Sequence, residues 1–368
     1  MVFESSRYLK VSILLPDLRL GGAERLHVNL ADEWACVGVS TEFVLRNAVG
    51  ELLDDLPASA KVVDLKAARV RNVVRPLIKY LKESKPDAII AAMWPLTVFA
   101  PLAARLAGYQ GRVIISEHSP LSIAYDRHGR LHRLVMRASQ RFCYPLADVR
   151  VAVSSGIADD LAALSGLPCE QFTVIHNPAA LGKANLNAAC PEQLSGRPGP
   201  VILTVGTLKP VKRHDLLIEA FSRLPASLGA TLCILGEGQM REQLEGQIDR
   251  LGLQGRVLLP GFAVDPGPWY AHSDLFVLSS DYEGFGNVIV EAMEYGLPVV
   301  STDCPVGPTE ILAGGQYGTL VPVGDAQTLS QAIFAALTEK GDQVALKLRA
   351  KDFALQTIAQ KYLDVISP

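Results

Sequence analysis

Short apolar runs, each followed by a stretch of helical periodicity, constrain this chain more than any other feature. One set lies at Val11–Leu15, Thr41–Leu45, Ala88–Ala92, Val113–Ser116 and Val149–Ala152. A second set lies at Val201–Val205, Leu232–Leu235, Val257–Leu259, Leu275–Leu278 and Val299–Ser301. Runs this short, alternating with helices, are strands buried on both faces of parallel α/β layers. Between the sets, Ala179–Pro200 is rich in Ala, Asn, Gly and Pro, the composition of a linker. The expected architecture is therefore α/β, with two doubly wound, Rossmann-like domains at 1–180 and 201–350 and a linker at 181–200. Ligands of such sheets bind beyond the carboxyl ends of the strands, so the site is expected in a cleft between the domains.

Composition narrows the function. The 368 residues are 49% apolar and 20% charged, as befits a folded protein with two cores. Residues 1–180 hold 21 Lys+Arg against 18 Asp+Glu, while the whole chain carries −3, so the first half is mildly basic and the second acidic. A nucleic-acid binder would show a strong basic excess, and none is expected here. The six cysteines include no C-x-x-C pair, which points away from a zinc site or disulfide framework and towards a reducing cytoplasm. Met1–Lys10 lacks an apolar core of leader length. Ala88–Ala104 carries no charge, but Pro95 and Pro101 interrupt it, and a buried strand followed by an apolar helix accounts for it better than a membrane span.

The chemistry concentrates in Ser280–Val300, SDYEGFGNVIVEAMEYGLPVV. Glu283 and Glu291 stand eight positions apart around Gly284-Phe285-Gly286. A helix is expected over Val288–Tyr295, with Asn287 as N-cap, Gly296 at its end and Pro298 blocking continuation. Amides at a helix start preceded by glycine suit a phosphate, and the two carboxylates suit hydroxyl groups on either side of it. A nucleotide sugar has that layout: sugar hydroxyls, diphosphate, ribose.

This stretch resembles the E-x7-E motif of retaining nucleotide-sugar glycosyltransferases of the GT-B fold, specifically family 4, the group 1 glycosyltransferases. The resemblance implies that Glu283 lies by the donor sugar and that Glu291 binds the ribose. It also implies that the last helical pattern, within 351–368, crosses back to the first domain. Gly21-Gly22-Ala23-Glu24 follows the first strand and resembles the family's first glycine loop, over the donor phosphates. Val205–Lys212 corresponds to the family's G-R-L-x-x-x-K-G: Lys212 matches its lysine, Thr207 replaces the arginine, and Arg213 stands where glycine is usual. Lys209 and Arg213 are the two candidates to supply the missing cation. His118, just past a strand, matches a histidine that contacts the donor sugar. Gly236-Glu237-Gly238 and Pro260-Gly261-Phe262 fit loops that cradle the base.

The resemblance covers nearly the whole chain and is strongest from Val201 to Asp325. Cys304–Ile311 and Tyr317–Pro322 look like the corresponding strings of bacterial enzymes that extend polyprenyl-diphosphate-linked glycans. It implies transfer of a hexose or N-acetylhexosamine, from UDP in preference to GDP, to a lipid-linked saccharide. Lys212, Glu283 and His118 would act at the reacting centre. Gly21, Gly22, Thr207, Lys209, Gly236, Glu237, Gly261, Phe262, Phe285, Gly286, Asn287, Val288 and Glu291 would hold the donor. The nucleotide sugar is a co-substrate, and no other cofactor is expected. No D-x-D string occurs, so no metal ion is expected either.

Two basic patches mark the first domain. One runs from Lys61 to Lys85. The other is Arg130, Arg133, Arg137 and Arg141 at helical spacing, with Leu131, Leu134, Val135, Ala138 and Phe142 on the neighbouring face. Either this is a solvated face over a packed one, or it docks on anionic headgroups at the inner face of the cytoplasmic membrane. Two other functions share the architecture. A UDP-N-acetylglucosamine epimerase would release sugar without an acceptor, and a non-catalytic partner subunit would bind donor without turnover.

Overall fold

A computed structural model describes residues 9–339 and 341–367, the side chain of residue 127 aside. The leader reading of Met1–Lys10 therefore falls, but for its last two residues, outside the described ones. The chain divides into two compact units: the first runs to Pro178 and resumes at Leu355, and the second is Ala179–Ala354.

The first unit is built on a seven-stranded parallel sheet: β1 (Lys10–Leu15), β2 (Ser40–Leu45), β3 (Lys61–Asp64), β4 (Ala88–Ala92), β5 (Arg112–Glu117), β6 (Val149–Ala152) and β7 (Thr173–Val174). Its order is β3-β2-β1-β4-β5-β6-β7, so the winding reverses between β1 and β4. In register, Ile13 lies beside Phe43 on one side and Ile90 on the other. Every residue of β4 is buried, and the helix Leu96–Ala107 follows it, as expected of the uncharged segment. The helix Leu355–Ile366 closes this unit by packing on the helix Gly22–Cys36. There the Trp34 indole N–H donates to the Ala359 carbonyl at 3.2 Å and its ring meets Tyr362 edge-on.

The second unit carries six parallel strands: β8 (Val201–Val205), β9 (Thr231–Leu235), β10 (Val257–Gly261), β11 (Leu275–Leu278), β12 (Val299–Thr302) and β13 (Thr319–Val321). The order β10-β9-β8-β11-β12-β13 repeats the doubly wound plan, with its reversal between β8 and β11. Its core joins Ile202, Leu217, Phe221, Leu232, Val277, Leu329 and Ile333, all fully buried.

The structure corrects two expectations and settles two points beyond them. First, the segment read as a linker belongs to the second unit: the Ala180 amide bonds the Phe353 carbonyl at 3.1 Å, and Leu194 is buried. Second, the returning segment begins at Leu355, not 351, because Lys351–Ala354 still packs on the second unit. Third, β3, β7 and β13 escaped the sequence reading. They are short edge strands with at most one buried residue each, so the apolar run that betrays a central strand is missing. Fourth, of the two readings of the helix Gly129–Cys143, the one with a packed apolar face fails. Leu131, Leu134, Val135 and Phe142 are 76%, 64%, 55% and 72% exposed, and only Met136 and Gln140 are buried.

Candidate active site

The second unit brings several of the candidate side chains together at the reversal between β8 and β11. The loop after β8 ends in a 3-10 turn, Pro210–Lys212, and the loop after β11 begins with Ser279 and Ser280. Three bonds knit these loops: Ser279 Oγ donates to the Lys212 carbonyl at 2.8 Å, the Asp281 amide to Val211 at 2.8 Å, and Arg213 to Asp281 at 3.0 Å. So held, Lys212 Nζ meets Glu283 Oε1 at 2.7 Å, and Ser280 Oγ donates to the same oxygen at 2.5 Å. The pair is 21% and 11% exposed, so water screens it only in part.

Arg213 explains the family's glycine. Its φ of 48° and ψ of 41° lie in the left-handed region, where a side chain is strained and glycine is not. Its guanidinium is taken up by Asp215 at 3.1 Å and by Asp281, and the Asp215 hydrogen bond raises its pKa further. Of the two candidates for the missing cation, Arg213 is thus engaged in holding the loop. Lys209 and Thr207 are both exposed on it.

The helix after Gly284-Phe285-Gly286 spans Asn287–Tyr295. Asn287 is its first residue and Gly286, at φ 103°, holds the capping position; the expected asparagine cap is corrected accordingly. Only a glycine turns the chain comfortably there, and the turn sets Asn287 and Val288 in the first turn of the helix. The Phe285 ring is turned into the core against Phe353, with centroids 5.5 Å apart, so the ring itself is not a donor contact. Glu291, half-buried one turn on, accepts a hydrogen bond from Tyr270 Oη at 2.8 Å, and burial pushes its carboxyl pKa up. Tyr270 stacks on Tyr295 at 5.4 Å. No sequence signal marked Tyr270, which lies far from the motif it supports.

The two loops expected to cradle a base meet at the ends of β9 and β10, where the Gly236 amide donates to the Gly261 carbonyl at 2.9 Å. Arg241 binds the Glu237 carboxylate at 2.9 Å and holds its pKa below the usual range. Phe262 is 57% exposed beside them.

In the first unit, Gly21 caps the helix Gly22–Cys36 in extended conformation, and the Glu24 carboxylate folds back over it. His118 Nε2 lies 3.1 Å from Ser116 Oγ, which also reaches Tyr362 Oη at 3.2 Å. Its ring stands edge-on to His27 at 5.5 Å, a histidine the sequence reading passed over. Burial is the main cause that drives His27 down to about 4 and His118 to about 3, so both rings are neutral at pH 7. Glu117, fully buried before His118, accepts from Thr97 Oγ1 at 2.5 Å, Tyr144 Oη at 2.7 Å and the Trp94 amide at 3.2 Å. Burial pushes this carboxyl up to about 7. Among the described residues, no group of three or more His, Cys, Asp or Glu side chains is arranged to hold a metal ion.

Two family models match the chain: "Glycosyltransferase Family 4" over residues 20–182 and "Glycosyl transferases group 1" over residues 199–339. An N-acetylgalactosamine-N,N'-diacetylbacillosaminyl-diphospho-undecaprenol 4-alpha-N-acetylgalactosaminyltransferase of Campylobacter jejuni is 31% identical over 272 residues, 73% of each chain. The lipopolysaccharide core biosynthesis glycosyltransferase LpsE of Rhizobium meliloti is 29% identical over 94% of this chain and 96% of its own. Among solved structures, Anabaena HepE in complex with UDP and glucose superposes with a TM-score of 0.79 at 24% identity, covering 98% of this chain and all of that one. That likeness shows the fold. The chain is a glycosyltransferase of group 1, family 4, with the GT-B fold.

Proposed function

We propose that this enzyme transfers a hexose or N-acetylhexosamine from a nucleotide diphosphate, UDP in preference to GDP, to a saccharide carried on a lipid diphosphate. The observation that carries this reading is the Lys212–Glu283 pair, held just before the glycine-led helix that begins at Asn287. Lys212 offers fixed positive charge to the departing β-phosphate, and the amides of Gly286–Val288 share its negative charge. Glu283 orients Lys212 and reaches the donor sugar, Glu291 accepts from ribose hydroxyls, and neutral His118 hydrogen-bonds the sugar. The incoming hydroxyl attacks on the face the nucleotide leaves, so configuration is retained without a covalent nucleophile. No metal ion takes part.

The names of the relatives support the acceptor class: one acts on a diphospho-undecaprenol glycan, the other in lipopolysaccharide core biosynthesis. The UDP held by HepE supports the nucleotide. In this reading the enzyme works peripherally at the inner face of the cytoplasmic membrane. No helix among the described residues is long and apolar enough to cross a bilayer. The helix Gly129–Cys143 instead offers a docking surface, with Arg130, Arg137 and Arg141 exposed beside Leu131, Leu134, Val135 and Phe142. Arg133 on the same helix is paired with Asp126 at 2.6 Å.

Thermal unfolding against a panel of nucleotide sugars tests the donor assignment, because a ligand that binds only the folded state raises the transition. A UDP-sugar is expected to stabilise more than its GDP counterpart. Equal stabilisation by both, or by neither, refutes the assignment.

A further inference from the structure

The first unit holds an aromatic cluster that the donor chemistry does not use. It lies beyond the carboxyl end of β4, at this unit's own winding reversal, where doubly wound sheets bind ligands. Trp94 stands edge-on to Tyr125 at 5.1 Å and to His132 at 5.3 Å, and Tyr125 stacks on His132 at 5.4 Å. His128 extends the cluster towards solvent, 4.9 Å from His132. Trp94, Tyr125 and His132 are half-buried, so the rings form a rim and not a core.

Three restraints fix this rim. The Trp94 amide donates to buried Glu117, and its indole N–H donates to Ser139 Oγ at 3.3 Å. Met93, just before it, is held at φ 67°, a strained conformation for a methionine. Glu117 also directly precedes His118, so a single buried carboxylate ties the aromatic rim to the residue proposed for the donor sugar. A rigid, partly exposed aromatic surface with a few polar edges suits a ligand that has one apolar face and a polar rim. A pyranose ring has that character, with C–H groups on its face and hydroxyls around its edge.

We infer that the Trp94–Tyr125–His132 rim is the subsite for a pyranose ring of the acceptor saccharide. The inference rests on the proposed transfer to a saccharide acceptor and adds where this chain holds it. The tryptophans make it directly testable. Trp34 and Trp269 are 0% and 7% exposed, so a saccharide that changes the emission of the full-length protein reports on half-buried Trp94.

Methyl glycosides of glucose, galactose and their N-acetylamino analogues serve as probes, titrated with UDP present. At least one is expected to change the emission saturably. Tyr125→Leu is expected to weaken that binding about two- to tenfold, the range for one lost aromatic contact, and to raise the acceptor KM while kcat changes little. In Trp94→Phe the emission change should vanish, while the thermal stabilisation by UDP persists in both variants. A saccharide response that survives in Trp94→Phe, or no response to any probe, overturns the inference. Loss of UDP stabilisation in the wild type would refute the donor reading instead and leave the titration to decide the rim. Saturation-transfer NMR on the wild type covers a variant that fails to fold, since ring C–H protons should receive magnetisation more strongly than the methyl aglycone. The reverse order overturns the inference.

Discussion

The Lys212–Glu283 contact gives the sharpest test of the donor site, because the two side chains are proposed to act on the donor and also on each other. At 2.7 Å the gross attraction runs from ~1.5 kcal/mol in bulk water to ~6 kcal/mol at an effective dielectric of ~20. With the pair only 21% and 11% exposed, desolvation consumes much of this, and a charge-assisted hydrogen bond retains a net ~1.5–3 kcal/mol. Replacing either partner alone leaves the other charge half-buried and misdirected. Lys212→Gln and Glu283→Gln should therefore each lower kcat/KM by about 10- to 150-fold. The double variant removes both charges and the bond between them, so its loss should fall short of the product of the single losses. The coupling should be of the same ~1.5–3 kcal/mol size. The assay is steady-state release of UDP from the preferred donor, with circular dichroism to confirm folding. Losses that multiply in full would mean the two groups work independently, and wild-type kinetics in both single variants would remove them from the site.

Four further outcomes follow. Glu291→Ala should weaken nucleotide binding by about 10- to 100-fold with a smaller effect on turnover, whereas Tyr270→Phe, which removes only the bond that orients Glu291, should cost less; titration calorimetry with UDP decides between the two. Activity should survive exhaustive chelation by EDTA, and a collapse rescued only by Mg²⁺ or Mn²⁺ would refute the metal-free mechanism. Glu117 holds its proton to a higher pH in the native state than in the unfolded chain, so its contribution is complete below about pH 4.5 and is lost as pH rises through about 7. The wild type should lose ~3 kcal/mol relative to Glu117→Gln across that window, measured by urea unfolding, and a flat difference would contradict the buried, neutral carboxyl. Vesicle co-sedimentation should show binding to anionic lipid that 1 M salt weakens without abolishing, because exposed Leu131, Leu134 and Phe142 add apolar burial that salt does not screen. Complete release at high salt would leave only the arginines.

The central strands could be read from the sequence because a strand buried on both faces must be apolar throughout, as Ala88–Ala92 is. Three of the four edge strands could not, since a strand such as Lys61–Asp64 keeps only a partly buried Val63 and is held by its neighbour's backbone. Glu283 and Glu291 stood out as candidates by their local spacing around a glycine loop, whereas Lys212 and the roles of all three came from the family resemblance. Their supports were not visible: Ser280 and Tyr270 act through folded geometry, and Arg213 bears a strain that no residue type announces. Phe285 was expected to hold the donor, whereas the fold buries its ring against Phe353. The helix Gly129–Cys143 could be read either way. Its periodicity is that of a packed helix, yet its apolar stripe lies outside.

The return of Leu355–Ile366 to the first unit has a consequence for how the protein is made. Synthesis delivers the sheet of that unit first, but Trp34 and Ser116 wait for Ala359 and Tyr362 until the entire second unit has been translated. During that interval an indole and a strand-end hydroxyl lack the cover they have in the finished protein, while Ala179–Ala354 already has all of its own strands. The second unit can therefore mature before the first, against the order of translation. A nascent chain stalled before Leu355 would present an unfinished first unit to chaperones and proteases beside a finished second one.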